Sequence, residues 1–146
     1  MPRAERNPAL GLETQFHFLY PAFMSTAGSS EQACRLVRDA LPDLDQRLPR
    51  FQVLSGPPDA DLKAFFFDYL TDLLPRLREA VAAPDRVAIA RHAHALKGTG
   101  GSVGFPELSA LGERLEETAK AGLDDDARAL IGVLARWLNL VHGGSA

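Results

Sequence analysis

Four stretches of the chain repeat apolar residues every three or four positions, and residues that start or stop helices bound each stretch. The first carries Leu62, Phe65, Phe66, Tyr69, Leu70, Leu73, Leu74 and Leu77. Asp59 can cap it, and Pro75 within it predicts a kink or a division. Pro84-Asp85 marks the next boundary, with Asp85 as N-cap of a helix that runs through His94 and weakens at Gly100-Gly101 and Gly104. Pro106 suits the first turn of a third helix, whose apolar positions are Leu108, Leu111, Leu115 and Ala119, with Gly122 as its C-cap. Asp124 can cap a fourth, with Ala127, Leu130, Ile131, Leu134, Leu138 and Val141 facing inward. Asp124, Asp125 and Asp126 also complement the dipole of that helix. Four amphipathic helices joined by short connections predict an all-α fold, an antiparallel four-helix bundle.

Upstream the pattern is shorter. Ser29 and Gln32 have capping-box spacing, and Leu36, Val37, Ala40 and Leu41 form a stripe that Pro42 ends. Leu44, Leu48, Phe51 and Leu54 continue through Pro49 as a second short or broken helix before the break at Gly56-Pro57-Pro58. These short helices are expected to cap one end of the bundle. Residues 1–28 hold Pro2, Pro8, Gly11, Pro21 and Gly28 without a sustained period, which reads as a poorly ordered tail or leader. The competing reading is an aromatic segment, Phe16 to Phe23, that packs on the domain or on a partner; Met24 could be an alternative start. The expected organisation is a tail over 1–28, a bundle over 29–142 and a short C-terminal tail over 143–146.

Composition narrows the partners. The chain has 146 residues, 46% hydrophobic and 24% charged, enough for one core. A net charge of -3 argues against nucleic acid as the main partner. The single cysteine, Cys34, excludes an internal disulfide and suits a reducing cytoplasm. No apolar run approaches the roughly 20 residues that span a membrane.

The chemistry concentrates in the second helix. Positions three and four apart share a face, which groups Arg91, His94, Lys97, Gly98 and Gly101 on one stripe. Val87, Ala90 and Leu96 fall on the other, with Ala93 and Ala95 flanking. The stripe holds one ring whose neutral form is available as a nucleophile near neutral pH, two cations and two residues without side chains. Lys97 lies one turn from His94, where an ammonium could meet phosphate oxygens. Gly98 costs about 1 kcal/mol relative to alanine inside a helix. Close approach of a second protein to the ring is one reason to bear that cost. The plain alternatives are a solvated histidine, a snorkelling lysine and a glycine near a helix end. His92 points about 200° away from His94 by helix geometry, so the pair is not a joint metal site. Gly98-Thr99-Gly100-Gly101 follows a helical pattern and lacks nucleotide-loop spacing.

His94, Leu96, Lys97, Gly98 and Gly104 together resemble the phosphorylation motif of histidine phosphotransfer domains, and Gly101-Ser102-Val103-Gly104 followed by Phe105 is similar to those of hybrid and chemotaxis kinases. Phe66, Leu70, Leu73, Leu74 and Pro75 resemble the family's preceding helix, and Leu115-Glu116 its following one. The resemblance covers roughly Leu41 to Leu140. It implies a four-helix bundle with His94 as phosphoacceptor on an exposed face and Lys97 in support. It also implies a surface around Arg91, Gly98, Thr99 and Gly101 that binds partners. Those partners would be response-regulator receiver domains and a hybrid sensor kinase. The phosphoryl group would come from one receiver aspartate and leave to another. No cofactor would be bound by this chain, Mg²⁺ being supplied by the receiver, and the protein would be a cytoplasmic monomer that does not phosphorylate itself from ATP.

Glu116 matches a glutamate that in chemotaxis-kinase domains accepts a hydrogen bond from imidazole Nδ1–H, leaving Nε2 free. Otherwise it is a helix-surface carboxylate paired with Lys120. Glu113 stands where those domains carry a second histidine, a departure from their pattern. Two other functions fit the same fold: a receiver-binding module that is never phosphorylated, and a fragment of a chemotaxis-type or hybrid kinase phosphorylated by a kinase domain.

Overall fold

The computed structural model describes residues 30–51 and 60–142. Two short helices, α1 (Glu31–Ala40) and α2 (Leu44–Arg47), lead into a 3₁₀ turn, Leu48–Arg50. Four longer helices follow: α3 (Ala60–Ala82), α4 (Arg86–Gly100), α5 (Pro106–Ala121) and α6 (Asp124–Val141), with a second 3₁₀ turn, Gly101–Val103, between α4 and α5. Each long helix packs against the next, and α3 closes the ring against α6, which makes the four-helix bundle. The short helices lie over α5 and α6. Among the described residues no helix is long and apolar enough to cross a membrane. The expected tails over residues 1–28 and 143–146, the Ser29 cap, Leu54, the Gly56-Pro57-Pro58 break and the Asp59 cap lie outside the described residues.

The helix boundaries follow local chemistry. Ser30, one residue after the expected Ser29, caps α1 by accepting the Ala33 N–H at 3.0 Å. Asp85 caps α4 through Ala88 N–H, also at 3.0 Å. Pro106 opens α5, and Gly122, in the left-handed region at φ 75°, closes it. Asp124 does not cap α6. It is the first helical residue, and its carboxylate instead takes the Arg86 guanidinium at 2.7 and 2.9 Å, joining the start of α6 to the start of α4. α3 continues through Pro75 as one helix rather than dividing. Its buried stripe of Phe66, Leu70, Leu73, Leu74 and Leu77 holds both sides of the proline against the core.

The core centres on Trp137 and Phe105, both fully buried, meeting edge to face with ring centroids 4.9 Å apart. Phe66 stacks on Phe105 at 5.8 Å. Beside them Glu107, also fully buried, accepts the Trp137 indole N–H at 2.9 Å and lies 3.9 Å from the Cys34 thiol, so one carboxylate joins α1, α5 and α6. Leu62 and Phe65, expected in the apolar stripe of α3, are exposed instead, Phe65 by 74%. They precede Phe66, the first buried residue of that helix. The α3 stripe therefore starts one turn later than the pattern suggests.

The contact that matters most for the site is between α4 and α5. On α4, Ile89, Ala93, Leu96 and Gly100 are spaced four, three and four residues apart and form its buried face. Small residues bring the helices together. A Cβ on Gly112 would stand 2.7 Å from the Lys97 amide nitrogen and 2.8 Å from the Ala93 carbonyl oxygen. The backbones touch there, and the residue one turn beyond Gly112 on α5 is Glu116.

Candidate functional site

His94 leaves α4 opposite its buried face, with 67% of its side chain exposed. The ring leans toward α5. Its Nδ1 lies 3.2 Å from Glu116 Oε2 and 3.4 Å from Oε1. Glu116 is the most enclosed member of the group, with 12% of its side chain exposed. It also receives two ammonium groups, Lys97 Nζ at 3.4 Å from Oε1 and Lys120 Nζ at 3.1 Å from Oε2. Burial pushes the Glu116 carboxyl up, but hydrogen bonds from Lys120 and Lys97 outweigh that and hold it below its ordinary value. The carboxylate is ionised at neutral pH and can only accept. The neutral ring therefore keeps its proton on Nδ1, donated to Glu116, and its lone pair on Nε2.

This geometry depends on the Gly112 contact. A wider gap between α4 and α5 would leave Glu116 short of the ring and Lys97 short of Glu116. The two sequence readings of Glu116 are not exclusive: its carboxylate meets both the imidazole and Lys120.

The other residues of the predicted stripe are not all alike. Arg91 is exposed one turn before His94. Gly98 is exposed one turn after it, with no atom within 4 Å of where a Cβ would stand. Thr99 is exposed, and its hydroxyl donates back to the Ala95 carbonyl at 3.0 Å. Gly101, grouped with the partner-facing residues by spacing, is buried. A Cβ there would run into the Phe51 carbonyl oxygen, and its N–H donates to Ser109 Oγ at 2.7 Å. Its lack of a side chain serves internal packing. Val87 corrects the sequence reading in the other direction. Assigned to the inner face, it is 74% exposed, because seven residues make almost two full turns and return it to the stripe of His94. Ile89 occupies the inner position instead.

His92 is half-buried on α4, apart from the Glu116 group. Burial pulls its pKa below the ordinary value, and the charges of Arg91 and Arg76 add to this. Among the described residues no three His, Cys, Asp or Glu side chains converge to hold a metal ion.

Glu113, which stands in place of a second histidine, is engaged elsewhere. Its carboxylate takes Arg47 at 2.8 Å and Arg50 at 2.8 and 2.9 Å. Arg47 also reaches Asp43 and Glu117, each at 3.0 to 3.2 Å. This network clamps α2 and the following 3₁₀ turn to α5, on the side of Glu116 away from α4. Sequence gave no signal for it, because Arg47 and Glu113 are 66 positions apart. Lys120, by contrast, was visible as a residue four after Glu116.

Comparison with curated proteins and with solved structures produced no match. The sequence model of the Hpt domain matches residues 61–143, which includes all four long helices except Ala60 and every member of the Glu116 group. An exposed histidine on a four-helix bundle, its Nδ1 against a carboxylate, is thus accompanied by a match over more than half of the chain, and the protein belongs to the Hpt domain family of histidine phosphotransfer modules in two-component signalling.

Proposed function

We propose that this protein is a phosphorelay intermediate that accepts a phosphoryl group on His94 Nε2 from a receiver-domain aspartate and passes it to the aspartate of another receiver. The observation that carries this reading is the contact of Nδ1 with Glu116 at 3.2 Å on a ring that is otherwise exposed. Hydrogen bonding at Nδ1 fixes the tautomer in which Nε2 is the nucleophile.

In the forward step the Nε2 lone pair forms the N–P bond as the bond from phosphorus to the aspartate oxygen breaks. The aspartate leaves as a free carboxylate. The ring keeps its Nδ1 proton, which Glu116 continues to accept, and the positive charge it gains is balanced by the oxygens of the phosphoryl group it now carries. No proton need leave, so the reverse step runs through the same arrangement. Lys97 is near enough to turn from Glu116 toward the phosphoryl oxygens. Beyond the N–P bond that His94 itself forms, such a transfer depends on positioning and charge. The receiver would bring its own Mg²⁺. The docking face would be the exposed stripe of Arg91, His94 and Gly98, with Thr99 at its edge.

The test is transfer from a radiolabelled phospho-receiver to the purified protein beside a His94→Gln variant. An acid-labile, base-stable label on the wild type alone is the expected result. A wild type that takes no label from an active panel of phospho-receivers would leave a receiver-binding module as the better reading.

A further inference from the structure

We propose that Lys120 is a positioning residue for phosphotransfer, and that Lys97 and Lys120 together bracket Glu116 so that it can hold His94 without charging it. The inference rests on His94 being the phosphoacceptor. It adds a role for a lysine that lies on a different helix from the histidine.

The difficulty it resolves is electrostatic. A lone carboxylate 3.2 Å from an imidazole favours the doubly protonated ring, because opposite charges at that distance attract. A doubly protonated ring has no lone pair on Nε2 and cannot attack phosphorus. The same carboxylate is needed to fix the tautomer. In this structure Glu116 carries two cations, one on each oxygen, at 3.4 Å from Lys97 and 3.1 Å from Lys120. One carboxylate and two ammonium groups sum to a net charge of +1, so the two cations offset the pull of the carboxylate on a second proton, Lys120 less strongly than its distance suggests because 68% of its side chain is exposed. Arg91, on the exposed stripe of α4, adds to the same effect. Of the flanking acids on α5, Glu113 is paired with Arg47 and Arg50, and Glu117 with Arg47 and Arg114.

The two lysines are not equivalent. Lys97 lies on α4 one turn from His94 and can turn to an incoming phosphoryl group. Lys120 lies on α5 one turn beyond Glu116, at the i,i+4 spacing of a helix ion pair. When Lys97 leaves for the phosphoryl oxygens, Lys120 stays on Oε2. Glu116 then remains ionised and in place against Nδ1–H through the transfer.

The experiment measures transfer rate from one phospho-receiver to wild type, Lys120→Gln and Lys120→Arg, from pH 6 to 9, as the ratio of each variant to wild type. Lys120→Gln is expected to be slower by roughly three- to tenfold near pH 6.5, from loss of one charge close to the ring. The deficit should shrink as the pH rises toward 9, because fewer protons compete with phosphorus for the Nε2 lone pair. Lys120→Arg should follow wild type throughout. A ratio of one at every pH overturns the proposal. So does an equal loss at every pH, which is the mark of a structural defect. The protonation of His94 at pH 7, followed by ¹⁵N NMR in unphosphorylated protein, gives an arm independent of transfer. More doubly protonated ring is expected in Lys120→Gln, and an unchanged ring overturns the proposal. If wild type takes no label while the NMR difference is present, the phosphorelay reading has failed and the electrostatic bracket has not.

Discussion

Replacing Gly98 with alanine sets stability against recognition at a single atom. Gly98 is inside α4, has no positive φ, and has no neighbour within 4 Å of a new Cβ. A methyl group there meets open space, so nothing offsets the gain in helix propensity. That gain is about 0.5 to 1 kcal/mol for alanine over glycine in a helix interior. For a domain of this size it raises the melting temperature by roughly 2 to 4 °C. The same methyl stands one turn from His94, on the face where the proposed transfer would bring a receiver close to the ring. Thermal unfolding by circular dichroism and single-turnover transfer at increasing receiver concentration read the two effects separately. The expected outcome is a more stable protein that needs a higher receiver concentration for half-maximal rate. A lower melting temperature would refute the reading of the open space. A higher one with unchanged concentration dependence would refute the docking role of Gly98.

Other substitutions test the remaining structure. Gly112→Ala has the opposite sign: its methyl meets the α4 backbone, so a loss of about 1 to 3 kcal/mol is expected in chemical denaturation, with weaker coupling of His94 to Glu116. Unchanged stability there would mean that the α4–α5 contact is looser than described. Trp137→Phe removes the indole donor from buried Glu107 and should cost about 1 to 3 kcal/mol by the same measurement, and a neutral result would contradict the role of that bond. Hydrogen bonds from Arg50 hold the Glu113 carboxyl below its ordinary value of 4.5, and those from Arg47 add to this. The unfolded chain therefore binds the proton first, so this stability is present above about pH 4.5 and lost as the pH falls from there through the lower value of the folded state. Glu113→Gln should show a shallower loss of stability between pH 5 and 3 than wild type, and parallel curves would remove Glu113 from the acid response.

The four long helices could be read from the sequence because periodicity and caps are local. Asp85, Pro106 and Gly122 act on the residues beside them, and each is found at the expected boundary. What periodicity alone misassigned was the depth of a face. Val87 looked internal because it is apolar, yet it lies nearly two turns before His94 and shares its outward direction. Leu62 and Phe65 looked internal for the same reason, in a turn that precedes the first buried residue of α3. Asp124 looked like a cap because of its type, but a guanidinium from α4 offered it a bidentate partner. Within the site, His94, Lys97 and Glu116 could be picked out before any coordinates. Their meeting could not, because it depends on how closely Gly112 lets two helices approach. Gly101 shows the limit most clearly. Its spacing groups it with the exposed stripe, while its burial is set by Phe51, fifty positions earlier.

That last contact bears on where the functional unit begins. The segment from Asp43 to Phe51 precedes the residues that match the Hpt family, yet it is tied to α5 through Arg47 and Arg50 and it seats a carbonyl on Gly101. Leu41, Leu44 and Leu48 are completely or almost completely buried. A fragment cut at residue 60 would keep every member of the Glu116 group but uncover part of the α5 surface and leave Glu113 without its two arginines, next to the carboxylate that orients the ring. The smallest piece that can be transplanted into another signalling protein with its chemistry intact is therefore longer than its recognisable family signature, and a chimera joined at that signature would inherit the histidine without its electrostatic surroundings.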